Sequence, residues 1–405
     1  MKPQMRPLEN IRVIDMSWVG AGPLCASYLA RMGAEVIKVE TRRRLDFCRS
    51  MPFVDGIPGV ERGGLFLIIN AGKRSCTIDM AKPEGAKLIK NLVKVSDVVI
   101  EAFSADTLEK WDLGYSTLRE LKPELIMASI SAFGRTGPQR GYVAYGRNLH
   151  GASGLTALIG YTGGPPRGLT GQWSDTLAGM TATFAILACL YHSRKTGTGQ
   201  YIDLSMCEAT TAALCEPIID YQMNHRIWER VGNQSQFAAP HNCYHCKGYD
   251  QWVAIVVSTD EEWEGFCDVM GNPDWTRAEK FSNGLRRWQN QLELDKLVSN
   301  WTRSYTPYEA MDILQEAGIP AGVILDTEGL ANDQHLNKRN FFTVVDHPEV
   351  GKRKILSLPW NLSDAVDTNN HHAPLLGEDN DYVFRELLHI PDDEIARLIE
   401  EKVIY

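Results

Sequence analysis

Three things are scarce in this chain: positive charge, long apolar runs and paired cysteines. Its 51 acidic residues outnumber 42 basic ones, for a formal net charge of −9. Duplex nucleic acid is held by a net basic face, so that class of partner is excluded. A local basic pocket for an anionic ligand is not. No uninterrupted apolar run of about 18 residues occurs, so no membrane-spanning helix is expected. The first ten residues are polar and contain Pro3 and Pro7, unlike a signal peptide. The nine cysteines are odd in number and scattered, and Cys25, Cys48, Cys76 and Cys189 have no disulfide-framework spacing. The expected home is the reducing cytoplasm.

What is present is the composition of an ordinary globular protein, 44% hydrophobic and 23% charged over 405 residues. That length predicts two to three domains. The first half alternates strands and helices. Residues 11–16 read as a buried strand, Gly20 to Pro23 as a turn, and Leu24 to Met32 as a helix capped by Gly33. Strands follow at 36–40, 75–80, 98–100 and 125–131, with a helix opening at Pro83. This grammar predicts an α/β fold with a mostly parallel sheet covered on both faces. Residues 134–174 read as a long loop rich in glycine, proline and arginine, and a loop of that length is more often functional than idle. An alanine-rich helix is predicted from Leu177 to about Ser193. The expected domains are a large one over 1–223, a linker over 224–242, a small α+β one over 243–325, and a tail over 326–405 that completes the first.

Four constellations carry candidate chemistry. Gly20-Ala21-Gly22 between a strand and a helix, with Glu40 ending the next strand, resembles a dinucleotide fingerprint, but Cys25 stands where its third glycine belongs. Cys243, His245 and Cys246 crowd together without the paired spacing of a zinc site, so a strand edge is the better reading. Lys38, Arg42, Arg43, Arg44, Lys73, Arg74 and Lys110 fall where strands of the sheet should end. They form either a polyphosphate pocket or a solvated basic face. Asp175 precedes the long apolar helix, where an aspartate is usually a plain N-cap. A helix N-terminus also keeps a carboxylate ionised, as a carboxylate nucleophile must be.

The order of short motifs decides among these. Val13-Ile14-Asp15 leads to Gly22-Pro23. Then come Gly33-Ala34-Glu35-Val36-Ile37-Lys38-Val39-Glu40, Gly72-Lys73-Arg74-Ser75, Ser174-Asp175 with Ala178-Gly179, Thr196 to Gln200, Gly318 to Gly322, and Ala373 to Glu378. Over nearly its whole length the chain resembles the class III CoA-transferases, the superfamily of formyl-CoA transferase, carnitine CoA-transferase and 2-methylacyl-CoA racemase. The resemblance implies a Rossmann-like large domain, a small domain between linkers, and two chains threaded as interlocked rings. It implies Asp175 as nucleophile, and CoA ligands among Val19, Arg42, Arg43, Lys73, Arg74 and Lys110. It implies a CoA thioester as substrate, with no metal or prosthetic group.

Departures from relatives narrow the reaction. Tyr145 stands where racemases carry a catalytic histidine, and His150 is at the wrong offset, so racemization is the runner-up. An NAD-dependent oxidoreductase is a more distant alternative. Gly20 stands where oxalate-using transferases have glutamine, which predicts added room beside Trp18. With Tyr145 and Trp173, this predicts a bulky or aromatic acceptor acid and a donor such as succinyl-CoA. The run Ser17 to Pro23 also resembles that of the benzylsuccinate CoA-transferases of anaerobic toluene breakdown, which are built from two related subunits. The expected assembly is therefore a homodimer or a heteromer with a related chain.

Overall fold

The computed structural model describes residues 6–50, 52–364 and 371–405. They form two compact units. The first comprises Met1–Thr156, Gly168–Ile227 and His335–Tyr405, and the second Ala157–Arg167 and Trp228–Gln334. The second unit takes in most of the expected linker over 224–242 and ends nine residues beyond the expected 325. The stretch Ala157–Arg167 was expected in the large domain and belongs instead to the second unit. Arg230 ties it there, donating to the carbonyls of Ala157 and Gly164 at 3.0 Å each. A link made by a guanidinium, the Gly232 N–H and backbone carbonyls leaves no apolar pattern to read.

The chain runs through β1 (Arg12–Asp15), α1 (Ala21–Arg31), β2 (Glu35–Glu40), α2 (Gly64–Asn70), β3 (Arg74–Thr77), α3 (Pro83–Lys94), β4 (Val98–Glu101), α4 (Thr107–Lys110) and α5 (Tyr115–Leu121). Then follow β5 (Ile126–Ser131), α6 (Gly146–Ala152), α7 (Leu155–Leu158), α8 (Trp173–Thr196), β6 (Tyr201–Ser205), α9 (Met206–Ala212) and α10 (Cys215–Asn224). The six strands form one parallel sheet in the order β3-β2-β1-β4-β5-β6. Strand order reverses between β1 and β4, the switch point at which open α/β sheets bind ligands. The central strands are buried on both faces because helices cover both. On one face Ile14, Ile37 and Val99 pack with Ile89, Leu92 and Val93 of α3. On the other, Val13, Val36 and Ile100 pack with Cys25, Ala26 and Leu29 of α1 and Ala178, Ala182 and Ile186 of α8. Truncating a core side chain such as Leu92 to alanine is worth ~2–5 kcal/mol.

The segment 134–174 is not one loop: it contains α6 and α7. Beyond the expected elements stand β6, α9 and α10; β6 is exposed at Tyr201 and Asp203 and buried only at Leu204 and Ser205, so it lacks the apolar run of the inner strands. Among the described residues, α8 alone is long and apolar enough to cross a membrane, with a hydropathy of 1.3. Thr181, Thr183, His192 and Ser193 interrupt its apolar run, so no uninterrupted stretch marks it in the sequence. Ala178, Ala182, Ile186 and Leu190 line its buried face, while Met180, Phe184 and Tyr191 stay exposed.

The tail completes this unit. Asp379 accepts the Ser75 N–H at 2.9 Å and pairs with Arg74 at 2.6 Å, and the Asp79 N–H donates to the Val403 carbonyl at 2.7 Å. Ile395 and Leu398 of the last helix, Asp392–Glu400, enter the core beside α3.

In the second unit, strands His241–His245, Trp252–Val256 and Ala321–Val323 form an antiparallel sheet. Helices Asp260–Val269 and Pro307–Glu316 start in capping boxes, Thr259 with Glu262 and Thr306 with Glu309, each cap contributing ~1 kcal/mol. Cys243 and His245 lie on the first strand and Cys246 just after it. Among the described residues no group of three or more histidines, cysteines or carboxylates gathers for a metal.

Candidate active site

The β1–α1 and β4–α4 connections, with the segments after β2, β3 and β5, open on a cleft of about 730 Å³. Asp175 lies on its wall. The helix α8 begins at Trp173 with Gln172 as N-cap, four residues earlier than expected, so Asp175 is inside the first turn and is not the cap itself. The turn is fixed from behind by Ser174, which is fully buried. Its N–H donates to Nε2 of His150 at 3.4 Å, and its Oγ lies 2.9 Å from the Thr210 hydroxyl. His150 is thus a neutral cap for α8, and burial holds its pKa below the ordinary value.

A second helix N-terminus, that of α1, meets the Asp175 carboxylate. The backbone N–H of Ala21, first residue of α1, stands near it and favours its charged form, as does its own N–H. Burial raises its pKa and outweighs both donors, so the carboxyl stays above the ordinary aspartate range. Gly20 and Gly146 make the close approach possible. A Cβ on Gly20 would stand 2.1 Å from Oδ1, and one on Gly146 would stand 2.2 Å from Oδ2. The carboxylate is held between two bare Cα positions. It also occupies the pole of α1 where a dinucleotide fold would seat a pyrophosphate. The missing third glycine therefore belongs to a site that holds its own anion, and the nicotinamide alternative is set aside.

Of the residues expected at the site, Trp18, Val19, Gly20, Arg43, Tyr145 and Asp175 line the cleft, as does Arg44. Arg42, Lys73, Arg74, Lys110 and Trp173 do not. Lys73 is buried at 4% exposure, donating to Asp15, Asn70 and the Pro23 carbonyl at 2.8 Å each. Its charge is answered inside the core. Arg74 pairs with Asp379 and Glu35 and stacks on Tyr382 at 4.1 Å. Arg42 sits over the Tyr405 ring, Lys110 is exposed at the end of α4, and Trp173 turns back to donate to the Thr170 carbonyl at 3.1 Å. The expected room beside Trp18 is also corrected: the space in front of Gly20 is filled by Asp175.

Several lining residues went unnoticed in the sequence. Phe103 packs edge-on against Trp18 at 6.0 Å and against Trp111 at 5.4 Å, making an aromatic wall. Arg140 and Tyr142 stand on another side of the cleft, and Arg140 faces Asp106 at 3.4 Å. Phe103 was detectable in principle, since it follows β4 at the switch point. Arg140 and Gly146 carried no such signal, because they lie in a segment read as loop.

Chemically, the arrangement is a desolvated carboxylate facing a cleft with guanidinium groups and aromatic rings on its walls. Residues 8–380 match the sequence profile of CoA-transferase family III. The succinyl-CoA–D-citramalate CoA-transferase of Chloroflexus aurantiacus is 33% identical over 400 residues, covering 98% of each chain. The beta subunit of the succinyl-CoA–L-malate CoA-transferase of the same organism is 32% identical over 403 residues, again with 98% of each chain covered. A CAIB/BAIF family protein from Brucella suis has the same fold, with a TM-score of 0.86 and 28% identity, over 95% of this chain and 100% of that one. Sequence and fold agree along almost the whole length, and the chain belongs to the family III CoA-transferases.

Proposed function

We propose that this enzyme moves CoA from succinyl-CoA to a dicarboxylic acid acceptor through an aspartyl anhydride on Asp175. The observation that carries this reading is the Asp175 carboxylate, desolvated, met by the Ala21 N–H and open to the cleft. In the proposed path a carboxylate oxygen of Asp175 attacks the thioester carbonyl, the C–S bond breaks, and CoA leaves as thiolate. The acceptor carboxylate then attacks the aspartyl carbonyl and expels the donor acid. The thiolate attacks the acceptor's acyl carbon, releases the new thioester and restores Asp175. A carboxylate suits both halves, because anhydride and thioester are similarly activated. Keeping the thiolate bound beside the anhydride lets it outrun water.

Arg43, Arg44 and Arg140 are the proposed cationic partners of CoA phosphates or of a substrate's remote carboxylate. The donor follows from relatives named for succinyl-CoA. Their acceptors, citramalate and malate, are dicarboxylates. Benzylsuccinate is one as well, and the Trp18–Phe103–Trp111 wall favours an acceptor with an aromatic or apolar substituent. Chemistry of this kind needs no metal or prosthetic group. The proposed assembly is a pair of interlocked chains, identical or paralogous, in the cytoplasm. The exposed apolar side chains Met180, Phe184 and Tyr191 of α8 and Ile219 and Met223 of α10 support a partner chain.

The test is to incubate the enzyme with succinyl-CoA and hydroxylamine and to map the adduct by mass spectrometry. A hydroxamate at Asp175, absent in an inactive but folded Asp175→Ala, is expected; turnover by Asp175→Ala sinks the mechanism. A panel of benzylsuccinate, citramalate, malate, oxalate and carnitine then ranks acceptors. Preference for oxalate or carnitine would sink the dicarboxylate reading alone.

A further inference from the structure

Val19 is a β-branched residue at φ +68°, in a region that sterics nearly close to such side chains. Conformations of this kind persist only where the surroundings over-determine them. Here the surroundings are a buried set of charges beneath the β1–α1 connection. The Asp46 carboxylate accepts the Val19 N–H with both oxygens, at 3.2 and 3.4 Å. The Val19 carbonyl accepts the Cys48 thiol at 3.2 Å, and the Cys48 N–H returns to Asp46 at 3.0 Å. Asp46 is itself fully buried and paired with Lys38 at 3.2 Å. Lys38 also donates to the Ser17 carbonyl at 2.9 Å, so one ion pair grips the segment on both sides of Trp18. Ser17 is further fixed by Asp15, which accepts its N–H at 3.0 Å and its hydroxyl.

The residues that follow Val19 are the ones that touch Asp175. Gly20 presents its bare Cα to the carboxylate, and the Ala21 N–H stands near it and favours its charged form. Rotation about φ of Val19 moves both. A fully buried ion pair is weak evidence for stability alone, since desolvation offsets much of the attraction.

We propose that Asp46, supported by Lys38, is a positioning residue for the nucleophile: it pins Val19 in the left-handed conformation and so aims Gly20 and the Ala21 N–H at Asp175. This rests on Asp175 being the nucleophile.

A double-mutant cycle with Val19→Gly tests it, because glycine takes positive φ without a side-chain penalty. With Val19 present, Asp46→Asn is expected to lower kcat ~10–100-fold while acyl-CoA KM moves less than ~threefold, the signature of a misplaced reacting group. In the Val19→Gly background the same substitution is expected to lower kcat less than ~threefold, because the residue then needs no pin. An equal loss in both backgrounds, or a loss confined to KM, overturns the proposal and leaves Asp46 a core ion pair. Should Asp46→Asn fail to fold, Lys38→Met/Asp46→Asn leaves no unpaired buried charge and runs the same cycle. Hydroxylamine trapping is run on each variant. A wild-type adduct elsewhere than Asp175 refutes the nucleophile assignment, whereas an adduct at Asp175 with no coupling to Val19 refutes only the positioning role.

Discussion

Gly20 and Asp175 are in contact across the head of α1, so close that a Cβ on Gly20 would lie 2.7 Å from the Asp175 Cγ as well as 2.1 Å from Oδ1. The contact makes Gly20 part of the site by what it lacks. A methyl group there cannot be accommodated without turning the carboxylate away from the Ala21 N–H. The displaced group is the end of a side chain, so the fold has little reason to suffer. Gly20→Ala is expected to lower kcat ~100-fold with Tm nearly unchanged, the loss typical of a reacting group moved by about 1 Å. Gly146→Ala is expected to act alike from the other side. Steady-state kinetics and a thermal melt of each variant check this. Full activity in Gly20→Ala would mean that the carboxylate works in another rotamer.

The basic residues separate into two groups that respond differently. Arg43, Arg44 and Arg140 face the cleft. Replacing one that holds a phosphate or carboxylate is expected to raise acyl-CoA or acid KM ~10-fold, with steeper salt dependence. Arg42→Ala and Lys110→Ala are expected to change KM less than ~twofold. Lys73→Met should instead act on stability, because Asp15 would be left buried without its closest partner, a loss of ~3–5 kcal/mol. Denaturant melts beside the kinetics distinguish the groups, and a Lys73 variant of normal stability with raised KM would return that residue to the site.

How much of this was legible follows from the kind of signal each feature leaves. The strands β1, β2, β4 and β5 carry short apolar stretches rich in β-branched residues, Val13-Ile14, Val36-Ile37, Val98-Val99-Ile100 and Ile126-Met127, between turn residues, so the parallel sheet could be read directly. Asp175 was identifiable from the ordered motifs around it. Lys73 lies in one of those motifs, and its place suggested a ligand. Sequence does not say that Asp15, fifty-eight residues away, answers its charge. Gly20 was legible as a departure but was read with the wrong sign, as added volume, because the neighbour filling that volume comes from α8. Tyr145 and Trp18 were found, while Phe103, Arg140 and Gly146 were not, since only the sheet's topology gathers those segments.

Rate should fall with acid earlier than for an ordinary aspartate. Burial raises the Asp175 pKa above its model-compound value of 3.8, and only the carboxylate attacks. The acid limb of kcat/KM for acyl-CoA is expected to sit above that value, measured with a donor that does not itself titrate in the range. A limb at or below it would show that in the working enzyme the backbone donors outweigh burial.

The same shift makes a prediction about stability that is independent of turnover. A carboxyl whose folded pKa exceeds its unfolded one binds its proton more tightly in the folded state. Its contribution is therefore favourable below the unfolded pKa and is lost as pH rises through the folded one. Above that, the buried anion is a net burden on the fold, which the Ala21 N–H relieves only in part. Asp175→Asn keeps the shape and removes the charge. It is expected to raise Tm at pH 7, because the desolvated charge is gone. The gain should shrink as the pH falls toward the unfolded aspartate value, where the wild-type carboxyl is itself neutral. Melts of both proteins from pH 7 downward measure it. A variant less stable than wild type at pH 7 would mean that the charge is welcome where it lies, held by the convergent helix ends more strongly than burial opposes it.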